Sequence, residues 1–343
     1  MRSANPVRDS AAHRRRPRLR TAFALAGAAL ACGGCGELQT NTPALSAARP
    51  LTVALNGQPS ALYAPLYEGV ADGAFARGAL HVSVAPAGSD AGSLAALVAG
   101  RAQVAVASEP AVLAARASGE RIVAVGALED GSLDAIISLR PLPTARSLLG
   151  KTVATDGSAL ARAELAGYAA QAGVAPSQLR IVQGGAQDLV KHRAYAMVGR
   201  WDLDGVSLAL AHRRPNVIRD LGVPSYTQAA IVVRVGEARY SGPLLRAFLQ
   251  SLTRAETATR ADPSAAAQAL VRANPTLGMK VELAALAATQ AVAGPPKASE
   301  PYGYQNPLGW QAFGNWMQAR GLLMSSAVAG DTITDEFLPG QGE

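Results

Sequence analysis

Polar and aromatic side chains gather in short loops that follow the apolar runs of this sequence, and these side chains could bind a small molecule. Ser108 and Glu109 follow one such run, and residues 199–204 follow another. Carboxylates such as Glu109 and Asp204 accept hydrogen bonds from amino groups, and aromatic rings stack on planar solutes. We therefore expect a site for a small polar or planar ligand. The candidate ligand-binding residues are Asn56, Gln58, Tyr63, Gly88, Ser89, Ser108, Glu109, Ser158, Trp201, Asp204 and Tyr226.

Some of these residues also have a purely structural explanation. Ser89 and Ser158 are typical helix caps, and Trp201 could be a wedge between two lobes. Residues for catalysis are not indicated, because the chain has no GxSxG elbow, no P-loop and no cysteine beyond Cys35. The histidines at 81, 192 and 212 lack zinc-ligand spacing. The sequence therefore predicts a binding protein without cofactor, metal or turnover.

The loops are positioned by segments that alternate between strand and helix patterns. Short apolar runs are followed by helical stretches, and this rhythm restarts after Pro143. Parallel strands are buried on both faces, so their sequences are short continuous apolar runs. Ligands of such sheets bind beyond the carboxyl ends of the strands. The sequence therefore predicts an α/β fold of two lobes, each with a mixed, mainly parallel sheet, around a ligand cleft. The loops at the strand ends are residues 56–63, 88–90, 108–109, 156–158 and 199–204.

The same pattern predicts the limits of the two lobes. We expect lobe 1 to comprise residues 51–140 together with residues 236–343, and lobe 2 to comprise residues 141–235. The strand patterns near 134–139 and 229–235 are the natural crossings between the lobes. A helix is predicted at 201–212, and a helical tail returns to lobe 1. The tail helices are predicted at 243–260, 263–273, 280–293 and 308–320.

The first 35 residues have the pattern of an export signal with a lipobox. Arginines precede an apolar run that ends at Cys32, and the run is too short to span a membrane. Cys32 is the expected lipid-attachment site and Cys35 is the alternative; residues 36–50 form a flexible linker. Residues 1–31 carry seven arginines and one aspartate, so little of the net charge of +7 belongs to the rest of the chain. The basic pI therefore does not indicate nucleic-acid binding.

Ordered short stretches resemble solute-binding proteins of ABC importers, in the group that handles nitrate, sulfonates, taurine and thiamine-precursor pyrimidines. This resemblance implies a type II periplasmic-binding-protein-like fold. The stretches are residues 64–67, 73–75, 88–89, 97–105, 149–153, 301–303, 310, 316–317, 321–323 and 337–340.

Two further stretches, residues 199–206 and 222–226, look most like the thiamine-pyrimidine branch, whose members resemble thiamine pyrimidine synthase. In that branch the acidic residue before Gly-Val contacts the pyrimidine, which places this role on Asp204. Tyr63 takes the place of the branch's first-loop histidine, and the branch's tryptophan in that loop is missing. The branch also contains a pyrimidine-making enzyme with a cysteine-rich motif, which this chain lacks.

The resemblance implies an extracytoplasmic lipoprotein that captures its solute and delivers it to a membrane permease with a cytoplasmic ATPase. Such a protein works as a monomer and has no nucleic-acid partner. Three alternatives remain open at this point. The solute could be a sulfonate, nitrate or taurine; the protein could be an extracytoplasmic enzyme acting on pyrimidines; or it could be a sensory module that presents its ligand to a receptor.

Overall fold

The computed structural model describes residues 48–294 and 300–341, and these residues form two five-stranded sheets. The signal segment, most of the linker, and both Cys32 and Cys35 lie outside the described residues. The lipid-attachment site therefore stays a prediction.

The first sheet has the strand order β2-β1-β3-β10-β4. β1 is parallel to β2 and β3, whereas β10 is antiparallel to both β3 and β4, so four strands share one direction. Every residue of β3 and β4 is buried, as continuous apolar runs predict. The strands are β1 Arg49–Leu55, β2 Leu80–Pro86, β3 Val104–Ala107, β4 Ile122–Glu129 and β10 Ala229–Arg234.

The second sheet repeats this arrangement with the order β7-β6-β8-β5-β9. β6 is parallel to β7 and β8, and β5 is antiparallel to β8 and β9. The prediction of two α/β lobes with mixed, mainly parallel sheets is confirmed. The strands are β5 Asp134–Ser138, β6 Thr152–Thr155, β7 Arg180–Gln183, β8 Ala196–Arg200 and β9 Asn216–Ile218.

The sheet to which each reversed strand belongs differs from the lobe assignment expected from the sequence. Those limits put β5 in lobe 1 and β10 in lobe 2, whereas β5 is hydrogen-bonded in the second sheet and β10 in the first. The reason is geometric. The chain leaves β4 at its carboxyl end, beside the cleft, and enters the second sheet from the cleft side, so β5 runs against its neighbours. The crossings are therefore residues 130–133 and 219–228.

The predicted tail helices all occur within one residue of their expected limits. Three of them carry proline in the first turn, where its missing N–H group costs no helical bond. The predicted helix at 201–212 is instead a wide π-type turn, Trp201–Gly205, followed by a short helix that ends at Leu210. The helices are α1 Ala64–Ala71, α2 Ala74–Arg77, α3 Asp90–Val98, α4 Glu109–Ala117, α5 Ala159–Ala170, α6 Ala186–Val190, α7 Val206–Leu210, α8 Val235–Tyr240, α9 Gly242–Ala261, α10 Pro263–Ala273, α11 Met279–Ala293 and α12 Pro307–Ala319.

The tail covers both faces of the first sheet. Phe248 of α9 is buried against one face, and Trp310 and Phe313 of α12 are buried against the other. Burying each such side chain contributes about 1.5–3 kcal/mol. Beyond α12, Ile333 forms a parallel bridge with Ala124 of β4. The carboxyl-terminal segment is thus tied to lobe 1 by both apolar packing and backbone hydrogen bonds.

Candidate functional site

A cavity of about 430 Å³ lies between the lobes, where the carboxyl ends of strands from both sheets meet. Its walls come from lobe 1, from lobe 2 and from the returning crossing, residues 219–228, as expected for a ligand cleft in an open α/β sheet. Lobe contacts flank it: Leu160 of α5 packs on the apolar cluster of lobe 1, and α7 contacts α11. The polar residues lining it are Asn56, Asp90, Ser108, Asp134, Asp156, Ser158, Glu164, Arg200, Asp204, Tyr226 and Gln228.

Asp90 organises the lobe 1 wall. Its Oδ1 accepts hydrogen bonds from Asn56 Nδ2 and from the backbone N–H group of Ser108, each 2.8 Å long. Its Oδ2 accepts a third from Ser108 Oγ, also 2.8 Å long. Tyr63 donates to Asn56 Oδ1 over 2.8 Å. The loops after β1, β2 and β3 are therefore joined at one carboxylate, and this network fixes the direction of the Asn56 amide.

A group of two carboxyls and a phenol forms the opposite side. Tyr226 donates a hydrogen bond to Asp134 Oδ2, and Glu164 of α5 lies against both residues. Burial raises the pKa of Glu164 well above its ordinary value, and the neighbouring Asp134 raises it further. Burial likewise raises the pKa of Asp134, although the Tyr226 hydroxyl opposes this. Burial and the closeness of the two carboxyls thus both favour their protonated forms.

The remaining charges of the lobe 2 wall follow β8. The Arg200 guanidinium forms a two-point ion pair with Asp202, which is fully buried. Asp204 Oδ2 accepts the backbone N–H group of Arg200 over 3.0 Å, and burial raises the pKa of Asp204. Gly199 permits this approach, because a Cβ atom there would lie 2.6 Å from Asp204 Oδ2. The guanidinium is thus neutralised by Asp202, whereas Asp204 remains on the cavity wall.

The amino end of α5 also borders the cavity, and such ends attract anions through free N–H groups. Here two of those N–H groups already donate hydrogen bonds to side chains of the preceding loop. Ser158 Oγ accepts the N–H group of Ala161 over 3.0 Å, and Asp156 Oδ1 accepts that of Ser158 over 2.7 Å. Of the charged groups that the described residues place on the wall, five are carboxyls and Arg200 is the single cation. The wall therefore suits a solute that donates hydrogen bonds.

The structure brings five of the sequence-predicted residues to the cavity and places six elsewhere. Asn56, Ser108, Ser158, Asp204 and Tyr226 line it. The others are outside its lining, although Tyr63 acts on it through Asn56. Those six are Gln58, Tyr63, Gly88, Ser89, Glu109 and Trp201.

The positions of these six residues have simple physical reasons. Gln58 and Gly88 are exposed, and Ser89 Oγ caps α3 by accepting the N–H group of Gly92 over 3.1 Å. Trp201 lies against Gly205 and packs with apolar clusters of both lobes, so its ring is used for packing. The structural explanations offered for Ser89 and Trp201 therefore hold.

Glu109 has a role at a crossing. It is 1% exposed, its Oε2 accepts the N–H group of Thr227 over 2.8 Å, and its own N–H group donates to the Thr227 carbonyl over 2.9 Å. Thr227 Oγ1 in turn donates to Asp130 in the other crossing over 3.1 Å. Burial raises the pKa of Glu109 to about 8. This carboxyl fastens the returning crossing to α4.

Sequence reasoning did not select several wall residues. Asp90 and Asp156 lie in loops that the strand pattern identifies. The sequence therefore predicted both loops, but it did not single out these two carboxylates as wall residues. Asp134 begins β5, and Gln228 directly precedes β10; these are the two strands that the sequence pattern assigned to the wrong sheets. Glu164 lies within a predicted helix, and no helical periodicity distinguishes a carboxyl that faces a cleft from one that faces solvent.

A second cavity, of about 480 Å³, lies beside the crossings between α9, α11 and residues 300–304. It shares no described lining residue with the first cavity, and it contains no residue from the strands of the second sheet. A solute there would not lie between the strand ends of the two lobes. We therefore take the first cavity as the candidate site.

No group of three or more His, Cys, Asp or Glu side chains among the described residues is arranged to hold a metal ion. Within the same ranges, no helix combines the length and the apolar character needed to cross a membrane.

Comparisons with known proteins agree with this geometry. A family model described as NMT1/THI5 like matches residues 61–266. The formylaminopyrimidine-binding protein of Halalkalibacterium halodurans is 24% identical over 314 residues, which cover 87% of this chain and 94% of that protein. The periplasmic aliphatic sulphonate binding protein of Escherichia coli has a TM-score of 0.67 at 16% identity and covers 86% of this chain and 94% of its own.

A third similar structure comes from Candida albicans and is described as having the generic periplasmic binding protein structural fold. Its TM-score is 0.58 at 14% identity, and the match covers 83% of this chain and 96% of that one. The two-lobed chain therefore has the periplasmic-binding-protein fold, which confirms the predicted fold class.

Proposed function

Since the chain belongs to the NMT1/THI5-like family and has the periplasmic-binding-protein fold, we propose that it is the extracytoplasmic substrate-binding protein of an ABC importer. It captures a small solute between its lobes and delivers it to a permease driven by an ATPase. Closure of the lobes is favoured by contacts that the solute makes with both walls at once. The cavity between the lobes, bordered by the returning crossing, supports this proposal.

The proposed solute is an aminopyrimidine of the thiamine-precursor type. The observation that carries this choice is the acidic cavity wall, with Asp90, Asp134, Asp156, Glu164 and Asp204. Amino groups and protonated ring nitrogens donate hydrogen bonds to carboxyl oxygens, and a carboxyl can pair with both together. The relative from Halalkalibacterium halodurans is named for binding a formylaminopyrimidine, which agrees with this choice.

An oxyanion is the less suitable solute for this wall. Sulfonates and nitrate only accept hydrogen bonds, and near several carboxylates they would be repelled. Arg200 is neutralised by Asp202, and Ser158 and Asp156 occupy N–H groups at the start of α5. The likeness to sulphonate-binding structures is one of fold, at 16% identity.

Calorimetric titration tests the solute class. We expect 4-amino-2-methylpyrimidine to bind the purified protein and 2-methylpyrimidine, which lacks the amino group, to bind at least tenfold more weakly, since one hydrogen bond to a buried carboxyl contributes about 1.4 kcal/mol. Taurine, ethanesulfonate and nitrate are expected to give no heat of binding. A sulfonate that binds more tightly than the aminopyrimidine would refute the assignment.

We propose further that the solute is bound without being changed, and that the protein acts as a monomer. Incubation with 4-amino-2-methylpyrimidine followed by mass spectrometry should return the compound at its original mass, and light scattering should give the mass of one chain. A new product that disappears in an Asp204→Ala variant would instead support the enzymatic alternative.

A further inference from the structure

Gln228 offers the cavity a hydrogen-bond donor that no described residue uses. Its side chain is 9% exposed and lines the cavity between the lobes. Oε1 accepts the backbone N–H group of Leu133 over 2.9 Å. Nε2 donates to none of the described residues, and it is not sealed from solvent in the way that Oε1 of Glu109 is. Its N–H groups are therefore open to a molecule in the cavity.

The backbone fixes which end of this amide is free. An N–H group needs an acceptor, so it is the carbonyl end of the amide that lies against Leu133. Leu133 ends the first crossing and Gln228 ends the returning one, so their hydrogen bond also joins the two crossings. A donor held at this junction is positioned before the solute arrives, which lowers the entropic cost of binding.

We propose that Gln228 is a specificity-determining residue whose Nε2 donates a hydrogen bond to an acceptor atom of the solute. In an aminopyrimidine that acceptor is the ring nitrogen beside the amino group, and this choice of solute rests on the proposed function. Asp134 follows Leu133 directly and lines the same cavity, which puts a carboxyl near this donor for the amino group. A solute without the acceptor leaves the Gln228 amide unpaired when it displaces water, and an unpaired donor costs affinity.

The donor and the carboxyl together select a solute more narrowly than the acidic wall alone. Sulfonates and nitrate accept hydrogen bonds but have none to donate to Asp134. An aniline donates to a carboxyl but has no ring nitrogen for Gln228. An aminopyrimidine carries a donor and an acceptor side by side along its N=C–NH₂ edge, so it satisfies both groups. Gln228 therefore distinguishes a ring with a nitrogen beside its amino group from a ring without one.

Two substitutions separate the donor from the hydrogen bond to Leu133. Gln228→Glu keeps an oxygen for the Leu133 N–H group and has no N–H group for the solute. Gln228→Met keeps the length of the side chain and removes both functions. Gln103→Glu is the matched control, because Gln103 Oε1 also accepts a backbone N–H group over 2.9 Å, that of Thr52, and Gln103 lies outside the lining of both cavities.

The experiment titrates 4-amino-2-methylpyrimidine into wild type and the three variants at pH 8.5, where the compound is uncharged and a carboxyl at position 228 is ionised. We expect Gln228→Glu and Gln228→Met each to bind at least tenfold more weakly than wild type, and Gln103→Glu to stay within threefold of it. Circular dichroism checks that each variant is folded.

A second measurement uses the wild type alone, so it does not depend on how any variant folds. 3-Methylaniline has the same skeleton as 4-amino-2-methylpyrimidine, with a C–H group in place of each ring nitrogen. It should bind at least tenfold more weakly than the aminopyrimidine. Equal affinity for the two compounds would overturn the role of Gln228, because no ring nitrogen would then be recognised.

The variants give three further ways to overturn this role. If both Gln228 variants bind within threefold of wild type, Nε2 does not contact the solute, and the proposed solute class still stands. If only Gln228→Met binds weakly, the hydrogen bond to Leu133 matters and the donor does not. If only Gln228→Glu binds weakly, its added charge is responsible. No binding of the aminopyrimidine by wild type would refute the proposed solute class together with the role of Gln228.

Discussion

Removing the Asp90 carboxylate should destabilise the cleft more than its partly exposed position suggests. Asp90→Ala breaks three hydrogen bonds of 2.8 Å that join the loops after β1, β2 and β3. Each bond is assigned about 1 kcal/mol, a low value for a hydrogen bond to a carboxylate, because the site is partly hydrated. The free energy of unfolding should therefore fall by about 3 kcal/mol. Asp90→Asn should cost about 1 kcal/mol or less, because Oδ1 keeps both of its donors and the new amide can donate to the Ser108 hydroxyl.

Urea unfolding monitored by circular dichroism measures this difference. Asp72→Ala is the matched control, because Asp72 is also a lobe 1 carboxylate but serves only its own loop, through Ala74 and Arg77. That variant should lose about 1 kcal/mol or less. If Asp90→Ala is no less stable than Asp72→Ala, the carboxylate does not hold the three loops together and the description of the lobe 1 wall is wrong.

Three other variants test separate parts of the structure. Gly199→Ala places a Cβ atom 2.6 Å from Asp204 Oδ2 and should weaken aminopyrimidine binding about tenfold in calorimetry, whereas Gly236→Ala, with open space around it, should not. Burial raises the pKa of Glu109 to about 8, so between pH 5 and pH 8 the folded protein keeps a proton that the unfolded chain releases, and the wild type loses stability over this range. Glu109→Gln should therefore lose less stability than the wild type when urea unfolding is measured across the same range. An unchanged dependence of the free energy of unfolding on pH would contradict this. Cys32→Ser should move the protein from the membrane fraction to the soluble fraction after cell breakage, while Cys35→Ser should not, and the opposite pair of results would assign lipidation to Cys35.

The sequence predicted the elements of this fold well because local signals define them. Buried strands such as β3 read as apolar runs, and prolines and capping residues mark the tail helices to within one residue. The exchange of β5 and β10 between the sheets could not be read in this way. Strand partners are set by which end of the sheet the chain leaves, and this depends on the fold as a whole.

The site was predicted less completely than the fold. Loops after strands were found, and Asn56, Ser108 and Asp204 lie on the cavity wall as expected. Trp201 and Glu109 were selected for their chemical character, but packing uses the first and a crossing uses the second. Glu164 was missed, because its importance comes from the residues that face it across the chain rather than from its neighbours in sequence.

A crystal structure of the protein with 4-amino-2-methylpyrimidine tests most directly whether the solute is held between the two lobes by their carboxyl groups. We predict that the ring occupies the cavity of about 430 Å³, with its amino group within hydrogen-bond distance of a carboxyl of the acidic wall and its other side facing Asn56. Electron density for the compound in the cavity beside α9, or on one lobe alone, would contradict that prediction.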